Sequence, residues 1–137
     1  MKKILIIDGQ GGKLGKQLAE RILSAYPSIE LTAVGSNSMA TAAMMKSGVK
    51  QVATGENAVV VCAGRADVIL GPIGIVIADS LLGEITPAMA QAVARSEAVK
   101  ILIPSERCRN LVAGTCGRSV SELIDDALRL LSAQLNE

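Results

Sequence analysis

Residues 4–16 read ILIIDGQGGKLGK. Apolar β-formers at 4–7 stop at Asp8, and glycines follow at positions 9, 11, 12 and 15. Apolar residues then recur every fourth position, at Leu14, Leu18 and Ile22. This spacing places side chains on one face of a helix. The stretch therefore predicts a strand, a glycine-rich loop and a helix, in that order.

A glycine-rich loop between a strand and a helix suits an anion. Glycine adopts positive φ without steric cost, and the helix start offers unpaired N–H groups and a positive dipole end. The spacing is G-x-x-G-x-x-G through Gly9, Gly12 and Gly15 rather than G-x-G-x-x-G. It resembles dinucleotide-binding domains of the extended reductase type. The alternative is a tight turn that serves helix packing and binds no ligand.

The run GQGGKLGKQ also resembles the deviant phosphate loop of the ParA and nitrogenase-iron-protein ATPases. That loop ends in Gly-Lys-Ser or Gly-Lys-Thr, whereas Gly15 and Lys16 are followed here by Gln17. The hydroxyl ligand for Mg²⁺ is therefore missing, and the loop is one residue too long. A divergent P-loop NTPase is the less favoured hypothesis.

The composition fits one domain spanning residues 1–137. The 14 basic and 13 acidic residues nearly balance, and Tyr26 is the only aromatic residue, so neither a basic surface nor a stacking platform for nucleic acid is expected. No apolar run approaches the roughly 20 residues of a membrane span, and the first is too short for a signal peptide. We expect a cytoplasmic protein without nucleic-acid or membrane partners.

Cysteine and histidine usage limits the chemistry. Cys62, Cys108 and Cys116 lack the spacing of a zinc or redox pair, and the chain has no histidine. This argues against a metal site and against imidazole-based triads. Half of the residues are apolar. A small apolar chain of this kind often hides surface in a subunit interface, so a homodimer is expected.

Strands and helices alternate along the rest of the chain. Further strands are predicted at 29–35, 51–53, 67–70, 98–103 and 111–113. Further helices are predicted at 39–47, 56–64, 75–84, 87–96 and 121–135, the fourth capped by Thr86 and the last by a capping box at Ser119 and Glu122. A strand remains the alternative for the helix at 56–64, because the valine run at 59–61 favours a strand. The inner face of the last helix is assigned to Leu123, Ala127, Leu130 and Leu131. The alternation predicts an α/β, Rossmann-like, doubly wound fold, with a mostly parallel sheet in a three-layer α/β/α arrangement.

The loops after strands 1 and 4 should meet at the carboxyl edge of this sheet, where a doubly wound fold opens its crevice. The pocket is expected to be lined by residues 8–13, 35–37 and 71–74. The second strand lacks the acidic residue that would hold a ribose, and Ser36 and Asn37 stand there either as ligand contacts or as helix caps. The predicted ligand-binding residues are Asp8, Gly9, Gln10, Gly11, Gly12, Lys13, Gly15, Ser36, Asn37, Gly71, Pro72 and Gly74.

Few charged residues point to chemistry. Asp8 either stands near a ligand or accepts N–H bonds from its own turn, and the second role is favoured. Solvated or capping roles are favoured for Glu56, Asn57, Asp79 and Glu84. Arg107 and Arg109, with Lys100, either supply charge to an anionic ligand or are solvated. The sequence offers no recognisable nucleophile, base or metal set, so catalysis stays open.

Five blocks carry a resemblance to a known family. They are IDGQGGKLGK at 7–16, ATGENA at 53–58, DVILGPIGI at 67–75, LGEITPAMA at 82–90 and KILIPSERC at 100–108. The chain resembles domain of unknown function 3842, a bacterial family, over nearly its whole length. The resemblance implies a Rossmann-like domain that stands alone, and it implies no activity.

Binding of a nucleotide or dinucleotide at the glycine loop, with NAD or NADP as cofactor, is the favoured hypothesis. One alternative is a non-enzymatic regulator that senses a phosphorylated metabolite or nucleotide. Another is an oligomerising scaffold whose glycine turns serve packing alone.

Overall fold

The computed structural model describes residues 1–104 and 110–136. The strands are β1 (Lys3–Asp8), β2 (Glu30–Gly35), β3 (Gln51–Thr54), β4 (Val68–Pro72) and β5 (Val99–Ile103). The α-helices are α1 (Lys13–Ala25), α2 (Ser38–Met45), α3 (Glu56–Ala63), α4 (Pro87–Arg95) and α5 (Val120–Leu135). A single 3₁₀ turn, Ile73–Val76, follows β4.

The five strands form one parallel sheet in the order β3-β2-β1-β4-β5. The chain winds outward from β1 through β2 to β3, and then crosses to β4 on the opposite flank of β1. The winding direction therefore reverses between β1 and β4, which is where open α/β sheets hold their ligands. The Rossmann-like doubly wound fold predicted from the sequence is confirmed.

Helices cover both faces of the sheet, and β1 is buried between them. Ile4 and Ile6 belong to one apolar cluster with residues of α1, α2 and α5. Leu5 and Ile7 belong to a second cluster with residues of α3 and α4. Alternating side chains of one strand thus enter two cores, which explains why residues 4–7 are continuously apolar. The three layers are α/β/α.

Several local predictions are confirmed. Residues 56–63 are helical, and the valine run lies within α3 with Val59 buried. Thr86 caps α4 by accepting a hydrogen bond from the N–H of Met89 at 3.2 Å. Ser119 and Glu122 form the expected capping box of α5.

The helix predicted at 75–84 is wrong. After the 3₁₀ turn the chain forms successive turns, with φ of 66°, 55° and 57° at Asp79, Leu81 and Leu82. The N–H of Asp79 donates to the carbonyl oxygen of Ile85 at 2.7 Å, so the segment closes on itself. Ile85 is completely buried. The apolar spacing reflects anchoring of a turn in the core rather than a helical face.

Two further predictions near the carboxyl end are corrected. Residues 111–113 form no strand, and Leu111 is 86% exposed. On α5 the buried residues are Ile124, Ala127 and Leu131, whereas Leu130 is 41% exposed. Ala127 and Leu131 are buried as predicted and Leu123 is partly buried, so the correction is that Ile124 takes the place of Leu130 on the inner face.

We predict that Gly71→Ala lowers the free energy of unfolding by about 2–3 kcal/mol, because the added methyl group is overpacked. A β-carbon on Gly71 would clash with the backbone carbonyl oxygen of Ile7, in the neighbouring central strand. The control is Gly64→Ala, whose β-carbon would lie 3.6 Å from the nearest atom, the carbonyl oxygen of Val61. Urea unfolding measures both variants, and equal losses would contradict the packing argument.

Candidate functional site

A cleft of about 460 Å³ opens at the carboxyl ends of β1, β4 and β5. The glycine loop and the first residues of α1 form one side of the cleft. Side chains from β4, β5 and the surrounding segments form the other. The lining comprises Asp8, Gly9, Gln10, Gly11, Gly12, Lys13, Leu14, Gln17, Pro72, Leu81, Ile103, Pro104 and Val120. The cleft therefore lies at the switch point between β1 and β4.

Gly12 forms the junction between the glycine loop and α1. It is the N-cap residue with φ of 73°, a conformation that favours glycine, and its N–H donates to the carbonyl oxygen of Gly9 at 3.0 Å. A β-carbon on Gly12 would lie 2.7 Å from the backbone of Ala40 at the start of α2. The loop is therefore packed directly against α2.

The buried carboxylate of Asp8 ties the two ends of the loop together. Its Oδ1 accepts a hydrogen bond from the N–H of Gly9 at 2.8 Å, and its Oδ2 accepts one from the N–H of Gly15 at 2.7 Å. Burial raises the pKa of Asp8 above its ordinary value, and the two N–H groups offset part of that rise. The favoured hypothesis for Asp8, a residue that accepts N–H bonds from its own turn, is confirmed.

Glu84 holds the loop from the side of β2. Its Oε1 accepts hydrogen bonds from the N–H of Gln10 at 2.8 Å, from Oγ of Ser36 at 2.7 Å and from Nδ2 of Asn37 at 2.7 Å. Burial raises the pKa of Glu84, but these three donors outweigh it, and the pKa lies below its ordinary value. The carboxylate is thus ionised at neutral pH beside the glycine loop.

Three backbone N–H groups of the loop remain available. Those of Gly9, Gln10, Gly12 and Gly15 already donate within the protein. The N–H groups of Gly11, Lys13 and Leu14 have no acceptor among the described residues. All three belong to the cleft lining. An open cleft at the start of a helix thus carries unpaired donors, which is the arrangement that binds anions.

Seven of the twelve predicted ligand-binding residues line the cleft: Asp8, Gly9, Gln10, Gly11, Gly12, Lys13 and Pro72. The other five are engaged in packing or hydrogen bonds away from this lining. They are Gly15 against Asp8 and Met44, Gly71 against Ile7, Gly74 against Ser80, and Ser36 and Asn37 with Glu84. Ligand contact by any of the twelve stays a prediction.

Asn37 has a structural role that the sequence left open. Its Oδ1 accepts a hydrogen bond from the N–H of Ala40 at 2.8 Å and caps α2. Among the proposed cationic residues, Lys100 donates to the carbonyl oxygen of Ser96. Arg107, Arg109 and Cys108 lie outside the described residues.

Sequence reasoning missed the role of Glu84 and the apolar wall of the cleft. The sequence assigns Glu84 a solvated or capping role, and nothing local to it identifies Ser36 and Asn37 as its partners. The wall residues missed are Leu14, Leu81, Ile103, Pro104 and Val120. They come from four separate segments, so no local pattern identifies them.

The family model described as Domain of unknown function (DUF3842) matches residues 3–136. The chain belongs to this family. A comparison with proteins of curated function gives no match. Among solved structures, this DUF3842 chain is similar to the dodecameric FMN-dependent UbiX-like decarboxylase of Escherichia coli O157:H7, with a TM-score of 0.54 and 16% sequence identity over 98% of this chain and 95% of the other. At that identity the likeness shows a shared fold.

Within residues 1–104 and 110–136, no group of three or more His, Cys, Asp or Glu side chains could hold a metal ion. Cys62 and Cys116 are free thiols. None of the helices in the described part of the chain is long and apolar enough to cross a membrane.

We predict that wild-type protein is more stable than Glu84→Gln at pH 7 by about 1 kcal/mol, because hydrogen bonds to an ionised acceptor are the stronger ones. The pKa of Glu84 is lowered in the fold from 4.5. Its stabilising contribution is therefore complete above about pH 4.5 and is lost as the pH falls through the lower folded value. The pKa of Asp8 is raised, so its contribution to stability changes with pH in the opposite direction. Because Asp8 is present in both proteins, this contribution cancels from the difference.

Urea unfolding between pH 7 and pH 3 checks this expectation. The difference in unfolding free energy between wild type and Glu84→Gln should shrink on acidification. Glu97→Gln, which removes an exposed carboxylate, is the matched control. A difference that stays constant with pH would show that Glu84 does not act through its charge.

Proposed function

We propose that this chain binds a nucleotide, whose phosphate accepts hydrogen bonds from the N–H groups of Gly11, Lys13 and Leu14. The observation that carries the proposal is that these donors lack a partner among the described residues while they line an open cleft. They stand at the start of a 13-residue helix, whose dipole adds to the attraction of an anion.

The shape of the cleft supports a small phosphorylated ligand. Its volume of about 460 Å³ lies within the roughly 300–1,000 Å³ of small-molecule sites. Opposite the glycine loop, the wall consists mainly of the apolar residues Pro72, Leu81, Ile103 and Val120. We infer that the phosphate binds at the loop and that the base or ring system contacts this wall. Lys13 adds a positive charge near the phosphate.

Flavin and nicotinamide nucleotides are the candidate ligands. The Escherichia coli protein with the similar fold is described as FMN-dependent, which supports testing a flavin nucleotide here. NAD and NADP, predicted from the sequence, are retained as candidates for the same loop. The cytoplasmic location also stays a prediction.

A non-enzymatic regulator that senses a phosphorylated metabolite is the second candidate. Among the described residues that line the cleft, the ionisable side chains are those of Asp8 and Lys13. Both carboxylate oxygens of Asp8 already accept N–H bonds. This sparse set favours binding over catalysis. A P-loop NTPase is less supported, because Gln17 takes the place of the hydroxyl ligand for Mg²⁺.

We predict that a nucleotide ligand raises the melting temperature, since saturation at 100 times Kd adds about 2.7 kcal/mol to the unfolding free energy. Differential scanning fluorimetry with FMN, AMP, ATP, NAD, NADP and inorganic phosphate tests this. Gly11→Asp should abolish the shift by repelling the phosphate, and the isosteric Gly11→Asn should retain more of it. A β-carbon on Gly11 meets no atom within 4 Å, so neither side chain disturbs packing at its base.

The outcomes separate the hypotheses. A shift that survives Gly11→Asp unchanged would place the ligand elsewhere. A response to inorganic phosphate and non-nucleotide phosphate esters alone would favour the regulator of metabolite level. The absence of any response at millimolar ligand would favour a scaffold that binds nothing at this loop.

We also infer a homodimer, which the apolar composition predicts. Leu82 is 97% exposed and Leu111 is 86% exposed, and large apolar side chains in such positions often belong to interfaces. Analytical ultracentrifugation should give twice the chain mass of 14.1 kDa. Leu82→Ser should shift the equilibrium toward monomer, whereas Val60→Ser on α3 serves as a control. A monomer at high micromolar concentration would contradict the inference.

A further inference from the structure

The crevice of a doubly wound sheet has two halves. A dinucleotide spans the switch point with one nucleotide on each half, and an acidic residue at the end of the second strand bonds the ribose on the first half. In this chain the first half lies above β1 and β2, and the second lies above β4 and β5. The two halves differ sharply in what occupies them.

The first half is filled by the protein itself. Ser36 and Asn37, at the end of β2, both donate to Oε1 of Glu84 at 2.7 Å. The same oxygen accepts the N–H of Gln10 from the glycine loop. The polar groups that could hold a ribose are thereby consumed by a carboxylate of the chain. The side chain of Glu84 spans the gap between β2 and the loop.

Close contacts at Gly9 show how little space is left there. A β-carbon on Gly9 would lie 2.8 Å from Cδ1 of Leu81 and 3.1 Å from Oε1 of Glu84. A methyl group on Gly9 would force the side chains of Ser36 and Leu81 to shift. A ribose bound above β2 would have to displace both of them.

The segment that carries Glu84 is anchored on both sides. The next residue, Ile85, is completely buried, and its carbonyl oxygen accepts the N–H of Asp79 at 2.7 Å. The side chain of Ser80 donates to the carbonyl oxygen of Gly74. Displacing Glu84 therefore means disrupting a turn that is fixed in the core.

In the part of the chain that the structure describes, the second half remains open. The cleft extends from the loop toward Pro72, Ile103 and Val120, and Leu81 contributes to its wall. Gly11, Lys13 and Leu14, whose N–H groups have no acceptor among the described residues, line this same space. Phosphate donors and free volume thus coincide on the β4 side of the loop.

We propose that Glu84 restricts the site to mononucleotides, by occupying the half of the crevice that the second nucleotide of a dinucleotide would need. This inference rests on the proposed function and narrows it against NAD and NADP. Glu84 acts as a specificity-determining residue through Ser36, Asn37 and the N–H of Gln10. Its negative charge also opposes a second phosphate on the β2 side.

Isothermal titration calorimetry on the full chain tests the proposal with matched ligands. FMN, nicotinamide mononucleotide and AMP are compared with FAD and NAD, the dinucleotides built from them. We expect the best mononucleotide to bind wild type at least tenfold more tightly than the dinucleotide that contains it. Equal or tighter binding of that dinucleotide would overturn the proposal and leave nucleotide binding intact.

Two variants of Glu84 distinguish the effect of the space that its side chain occupies from a general loss of binding. Glu84→Ala opens the first half, so the ratio of dinucleotide to mononucleotide Kd should fall at least fivefold. Glu84→Gln keeps a side chain of the same length with an acceptor oxygen, and the ratio should stay within about threefold of wild type, a difference below 1 kcal/mol. A ratio that does not change in Glu84→Ala would overturn the proposal.

The wild-type comparison decides the matter even where Glu84→Ala does not fold. Binding of none of the five ligands to wild type at millimolar concentration would reject the proposed function, and this inference with it. Failure of the function and failure of the restriction therefore give different results.

Discussion

The hydrogen bonds that Asp8 accepts from both ends of the glycine loop fix the conformation of the loop. Its two carboxylate oxygens accept the N–H groups of Gly9 and Gly15, so the loop is closed before any ligand arrives. Burial of the acid costs free energy, and its raised pKa reflects that cost. The two N–H bonds offset part of it. A preorganised loop lowers the entropy that a ligand would lose on binding.

Asp8 and Glu84 accept hydrogen bonds from different N–H groups of the loop. Asp8 satisfies N–H groups from beneath, and Glu84 satisfies that of Gln10 from the side of β2. The donors that remain, at Gly11, Lys13 and Leu14, line the cleft beside β4 and β5. Glu84, whose pKa is lowered by the hydrogen bonds it accepts, stays ionised on the β2 side. An anion is therefore favoured on one side of the loop and opposed on the other.

Local patterns in the sequence predicted the sheet and the loop, but not the segment that shapes the site. The strand-loop-helix at 4–16 and the switch between β1 and β4 follow from runs of apolar residues and glycine turns. The turns at 77–85 do not, because positive φ at Leu81 and Leu82 is uncommon for leucine and no local pattern predicts it. The bond between Glu84 and Asn37 joins residues 47 positions apart. Neither residue carries a local sign of its partner.

The glycines of the loop also show why motif spacing alone could not assign it. Gly12 packs on Ala40 and Gly15 packs on Met44, so both bring α1 close to α2. Gly11 contacts nothing within 4 Å on the side where a β-carbon would stand. The packing hypothesis and the ligand hypothesis thus concern different glycines of one loop. Close packing places α1, and that placement leaves three N–H groups without partners among the described residues, at positions that line the cleft. The packing role of the loop is therefore the physical basis on which the proposed binding depends.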